Sequence, residues 1–116
     1  MADYPEHFNT DYLTNFLDMR NDEGSTSVHL SAYKGNINIL DLLIKNNASI
    51  FVYDKTGLTP MHTAASGDNP QVLVYLKEKG LHFDIKDNLN RSPLHWAAYQ
   101  GSETSAMFLI SWGADI

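Results

Sequence analysis

The chain has 116 residues, of which 43% are hydrophobic, and a formal net charge of −6; it fits one small soluble domain that buries about two-thirds of its unfolded surface. The acidic balance excludes a general nucleic-acid binder, which needs clustered Lys and Arg, and fits either plain solubility or a mildly basic or polar partner. With no cysteine in the chain, disulfides, thiolate metal sites and a cysteine nucleophile are excluded, and a cytosolic or nuclear setting is expected.

Residues 1–8 read as a loose lead-in, because Pro5 disfavours helix for the residue before it. They lack the basic and apolar regions of a secretory signal. From Asn9 or Thr10 as N-cap, Leu13, Phe16 and Leu17 share one face at helical spacing. The pattern predicts a helix over 10–20, read as an N-terminal cap on the rest of the chain.

Three segments then repeat: 21–53, 54–86 and 87–116. His29, His62 and His95 recur at a constant spacing of 33 residues. Each segment opens with a turn in which Gly24, Gly57 and Asn90 share one position, as a turn needing positive φ selects. A short inner helix is predicted after each turn, N-capped by Thr26, Thr59 and Ser92, with Pro60 and Pro93 at the first helical position. The small pairs Ser31-Ala32, Ala64-Ala65 and Ala97-Ala98 let neighbouring helices approach, and Gly35, Gly67 and Gly101 end these helices. In the second segment Gly67 comes one residue early, with Asp68 where the others have glycine.

Outer helices are predicted at 37–46, 70–79 and 103–112. Their apolar stripes are Ile37, Leu40, Leu43 and Ile44; Val72, Leu73 and Leu76; and Ala106, Phe108, Leu109 and Ile110. Lys77 stands where the other segments have Ile44 and Ile110, so looser stacking is expected there. Asn47, Gly80 and Gly113 are the expected left-handed caps. No run reaches the roughly 18 to 20 apolar residues of a membrane helix. The third segment stops short of a polar closing repeat, so a fragment of a longer protein is expected, with its last outer helix frayed or packed on another molecule.

A fixed period carrying T-P-M-H-T-A-A and S-P-L-H-W-A-A is the signature of stacked helix-turn-helix units. The chain is identified by these motifs as a member of the ankyrin repeat family, which implies an all-α solenoid acting as a protein-binding module. At about 10 Å between adjacent repeats, the three histidines are too far apart to share a metal ion, and the resemblance implies a structural hydrogen-bonding role for them. Asp54 and Asp87 sit at turns, where Asp bonds its own backbone. Neither a nucleophile elbow, a phosphate-cradling loop nor metal-ligand spacing occurs, so no catalytic residue, cofactor or metal is expected.

In this family partners lie in a concave groove of turn tips and inner helices. The register carries that implication to Tyr33 and Lys34; to Tyr53, Lys55, Leu58 and Ser66; and to Asn88, Leu89, Arg91, Tyr99 and Gln100. Asp22, Glu23, Ser25, Thr56 and Lys86 complete the tips and junctions. Tyrosine and Arg are common anchor residues in interfaces, although each tyrosine could equally pack on its neighbours. Trp96 follows the motif histidine, where Leu30 and Thr63 stand elsewhere; it fits either core packing or the groove.

Residues 79–101, with the H-W-A-A-Y-Q-G run, and Trp112-Gly113-Ala114-Asp115 also resemble the ankyrin region of the DHHC-type palmitoyltransferases. That resemblance implies a cytosolic substrate-docking arm on a membrane enzyme, with transmembrane spans and the catalytic cysteine elsewhere and Trp96 lining the groove. The alternative is a scaffold or regulatory adaptor with no enzyme attached. Either way the expectation is a monomeric, cytoplasmic module that binds a protein or peptide, without nucleic acid and without inserting into a membrane.

Overall fold

The computed structural model describes residues 19–116, so the predicted cap helix at 10–20 lies outside the described residues except for Met19 and Arg20, which are exposed and not helical. The described residues form six helices: α1 (Ser27–Lys34), α2 (Ile37–Lys45), α3 (Pro60–Ser66), α4 (Pro70–Glu78), α5 (Pro93–Gln100) and α6 (Glu103–Ser111). They pair as inner and outer helices, α1 with α2, α3 with α4 and α5 with α6; the inner helices stack in the order α1, α3, α5. The outer helices each end one residue before their predicted bounds.

Each inner helix starts at the predicted hydroxyl cap, in extended conformation. The T-x-x-H pattern is a capping box in which the histidine ring replaces the usual Glu or Gln. The backbone N–H of Thr26, Thr59 and Ser92 donates to Nδ1 of His29, His62 and His95 at 3.1, 3.1 and 3.0 Å. The core lies between the layers: Val28, Ala32, Leu40, Met61, Ala64, Ala65, Leu73, Leu76, Ala97 and Leu109 are buried. Each fully buried Leu contributes on the order of 1.5–3 kcal/mol.

Two sequence expectations are corrected. Phe108 and Ile110, expected in the apolar stripe of α6, are exposed; the buried residues of that helix are Ser105 and Leu109. Lys77 does not leave a gap in the core, because its position sits at the surface; its Nζ lies 5.3 Å from the centre of the Trp112 ring, a cation–π contact across repeats. Gly67 ends α3, as expected. Its φ is −84°, and Asp68, at φ 55°, takes the left-handed position instead.

Gly67 is required for a different reason. A Cβ at Gly67 would collide with the Tyr33 carbonyl oxygen at the end of α1. The same junction is tied by Asn69, whose Nδ2 donates to the carbonyls of Ala32 and Tyr33 at 2.9 and 2.6 Å. On the outer layer, Tyr75 Oη donates to Asp41 Oδ1 at 3.0 Å; burial, then this carboxylate, pushes the Tyr75 hydroxyl up to about 12.

Two glycines give opposite tests. Gly101 has φ 74° but nothing within 4 Å of an added Cβ, so Gly101→Ala should cost only the left-handed strain, about 1 kcal/mol. Gly67→Ala carries no such strain but forces adjacent repeats apart, and should cost about 2 kcal/mol or more. Urea denaturation of both variants checks the order; a milder Gly67→Ala would contradict the close approach.

Candidate functional site

The turns come together as a ladder along one edge of the stack. Lys55 N–H donates to Glu23 O at 3.1 Å, and Asn88 N–H to Thr56 O at 2.9 Å. Asn88 Nδ2 adds a bond to Lys55 O at 3.2 Å. Lys55 and Asn88 are thus placed side by side, with Leu89 exposed beyond them.

Inside each turn one polar side chain holds the loop. Asn21 Oδ1 accepts from the N–H groups of Glu23 and Ser25. Asp54 Oδ1 accepts from those of Thr56 and Leu58, each at 2.9 Å. Asp87 does more: Oδ1 takes the N–H groups of Leu89 and Arg91 at 3.0 and 2.8 Å. Its Oδ2 takes Arg91 Nε at 2.8 Å and the Trp96 indole N–H at 3.2 Å. Burial pulls the Asp87 carboxyl up, but these four hydrogen bonds outweigh it and hold the group below the usual carboxylate range.

That arrangement presents Arg91 and Trp96 as one unit. The guanidinium carbon lies 4.7 Å from the centre of the indole ring, and Tyr99 meets Trp96 edge-on at 6.1 Å. Arg91, His95, Trp96 and Tyr99 line a hollow of about 520 Å³. Trp96 is half-buried, so it neither fills the core nor stands free; its N–H is satisfied within the turn while its ring stays on the surface. The role of Asp87 in organising Arg91 and Trp96 is not foreseen from the sequence. The equivalent side chains around Asp54 are Leu58 and Thr63, so no repetition marks the constellation.

The other predicted residues fall in different places. Tyr33, Lys34 and Gln100 are exposed at the ends of α1 and α5. Ser66 and Leu58 are half-buried, and their carbonyls accept from Ser102 Oγ at 3.0 Å and His29 Nε2 at 2.7 Å. Ser25 is buried. Tyr53 lies apart from the Arg91 hollow, in a second one of about 500 Å³ with Arg20, Phe51 and Lys55. Arg20 Nη1 donates to the carbonyls of Gly24 and Tyr53, both at 2.8 Å.

The histidines bind within and between repeats. A backbone N–H can only donate, so Nδ1 of His29 and His62 accepts and the ring proton sits on Nε2. From there His29 donates to Leu58 O at 2.7 Å and His62 to Arg91 O at 2.9 Å. Burial lowers both pKa values, only partly offset by those carbonyls.

The chain matches the family model for ankyrin repeats, in three copies, over residues 28–116. It belongs to the ankyrin repeat family, whose members serve as protein–protein interaction modules. No curated protein matches it. Among the described residues no helix is long and apolar enough to cross a membrane.

The histidines give a pH dependence. Their folded pKa values lie below the unfolded value of 6.5, so the unfolded chain binds more protons as pH falls below 6.5. Their contribution is complete above that pH and is lost as pH drops through the folded values, at up to about 1.4 kcal/mol per pH unit for each ring. Urea midpoints should therefore fall between pH 7.5 and 5.5, above the range where carboxylates titrate. His62→Gln should be less stable at pH 7.5 and show a shallower fall; an unchanged slope would contradict a neutral, buried His62.

Proposed function

We propose that the turn tips and inner helices form a concave docking surface for one segment of a partner protein, centred on Arg91, Trp96 and Tyr99. The observation that carries this reading is the pair of half-buried Trp96 and exposed Tyr99, with a guanidinium held against the indole by Asp87. Arg91 and Trp96 are ordered by bonds within their own turn, so a partner meets them with little entropy left to lose. Tyr33 occupies the equivalent slot at the other end of the stack. Lys34, Lys55, Ser66, Asn88, Leu89 and Gln100 supply the polar and apolar rim between, with Tyr53 and Leu58 at its margin. Repeats 21–53, 54–86 and 87–116 act together as one binding unit, and the chemistry offered is recognition.

A narrower reading is that this unit recruits protein substrates to a palmitoyltransferase carried elsewhere in the parent protein. Its support is the resemblance in residues 79–101 and 112–115. The rival is an adaptor with no enzyme attached. Sequencing the transcript beyond residue 116 separates them: membrane spans with a cysteine-rich segment favour the first, and their absence the second.

The groove itself is tested with a displayed peptide library selected on the chain. Peptides so obtained should bind the Tyr33→Ala/Tyr99→Ala variant at least tenfold more weakly, as loss of an interface anchor predicts. Undiminished binding to that variant, with its helical circular dichroism intact, would refute the assignment.

A further inference from the structure

Asp87 is buried and both its oxygens are taken: Oδ1 by the N–H groups of Leu89 and Arg91, Oδ2 by Arg91 Nε and the Trp96 indole N–H. The third turn therefore offers a partner no carboxylate of its own. What it offers is the far end of Arg91. With Nε committed, Nη1 and Nη2 have no acceptor among the described residues, and the side chain is 36% exposed. The same guanidinium covers the Trp96 ring at 4.7 Å, so the face that would attract a partner's cation already holds one.

The neighbouring charges point the same way. Lys55, beside Asn88 in the ladder of tips, is exposed and forms no ion pair among the described residues. Asp54, like Asp87, is buried and spent on its own turn. The exposed acids of the tips, Asp22 and Glu23, stand in the first repeat, at the opposite end of the stack. The net charge of −6 does not describe this part of the groove, since residues 1–18 hold Asp3, Glu6, Asp11 and Asp18 with no Lys or Arg.

We propose that the segment bound in the groove carries a Glu or Asp beside an apolar residue. The carboxylate takes the two Nη groups of Arg91 end-on, as the planar fork allows, and the apolar side chain rests on Trp96 and Tyr99. The inference rests on the docking surface proposed above and names the chemistry of its partner. A single guanidinium, itself paired with Asp87, suits one negative charge better than the nearly double charge of a phosphate. The hollow of about 520 Å³ that these side chains line with His95 is roomy enough for the acid and its apolar neighbour. In the first repeat Leu30 and Tyr33 hold the slots of Trp96 and Tyr99. They stay 51% and 46% exposed with α3 stacked on α1, so these slots open to the groove whatever covers the rest of α5.

The test selects a displayed library of random peptides on the natural chain. Recovered peptides should be enriched in Glu or Asp next to an aromatic or aliphatic residue. Exchanging that acid for its amide should weaken binding to the natural chain about tenfold or more, as for a lost charge-assisted pair. The same exchange should change binding to Arg91→Gln little, and Arg91→Lys, which keeps the charge but not the fork, should restore only part of the difference. Exchange on the peptide alone needs no variant, so the inference stays open to test if Arg91→Gln fails to fold. Peptides that lose affinity for Tyr33→Ala/Tyr99→Ala yet carry no acid, or carry Lys and Arg in its place, would overturn the inference and leave the docking surface standing. So would an acid that matters as much to a folded Arg91→Gln as to the natural chain. Peptides indifferent to Tyr33→Ala/Tyr99→Ala would remove the surface and the inference together.

Discussion

The stack depends on a neutral imidazole buried between repeats. In the first two repeats one ring nitrogen closes the start of its own helix, and the other reaches the main chain of the following turn. A protonated ring has no acceptor nitrogen left for the cap N–H, so the local fold of a repeat and its docking to the next rest on a single tautomer. Burial keeps the ring neutral and the cap N–H fixes the tautomer, which in turn satisfies the two polar groups that burial would otherwise strand.

The turns extend the same economy. Asn21, Asp54 and Asp87 hold their loops by accepting nearby N–H groups, and the backbone of the second and third tips then bonds to the tip before it. Only in the third turn does the second carboxylate oxygen reach outward, to Arg91 and Trp96. A loop-stabilising residue thereby orients two surface side chains as well, which is how a repeated scaffold comes to carry an unrepeated site.

Much of the fold is legible in the residues because it rests on conformations a residue adopts by itself. The hydroxyl caps, the prolines at the first helical position and the positive φ of Gly24, Gly57 and Asn90 all belong to local chemistry. What stays hidden depends on a neighbour. Gly67 looks like a helix terminator, yet its reason is the Tyr33 carbonyl a full repeat away. Lys77 looks like a defect in an apolar stripe, yet it lies over Trp112, which no periodicity links to it. Arg91, Trp96 and Tyr99 are legible as separate candidates, but the carboxylate that joins two of them becomes visible only with the turn folded.

Carboxylates of Asp41 and Asp68 accept some of the bonds between repeats, but the others described share one habit: their acceptors are main-chain carbonyls. Leu58 and Arg91 receive the histidines, Ala32 and Tyr33 receive Asn69, and Ser66 receives Ser102. Several of these acceptor residues also point side chains toward the surface, but these joints use only the carbonyl that every amino acid has. Substitution at Tyr33, Ser66 or Leu58 can therefore rewrite the surface chemistry while the joints keep their partners. The scaffold separates what must be kept from what is free to diverge, within the same residue.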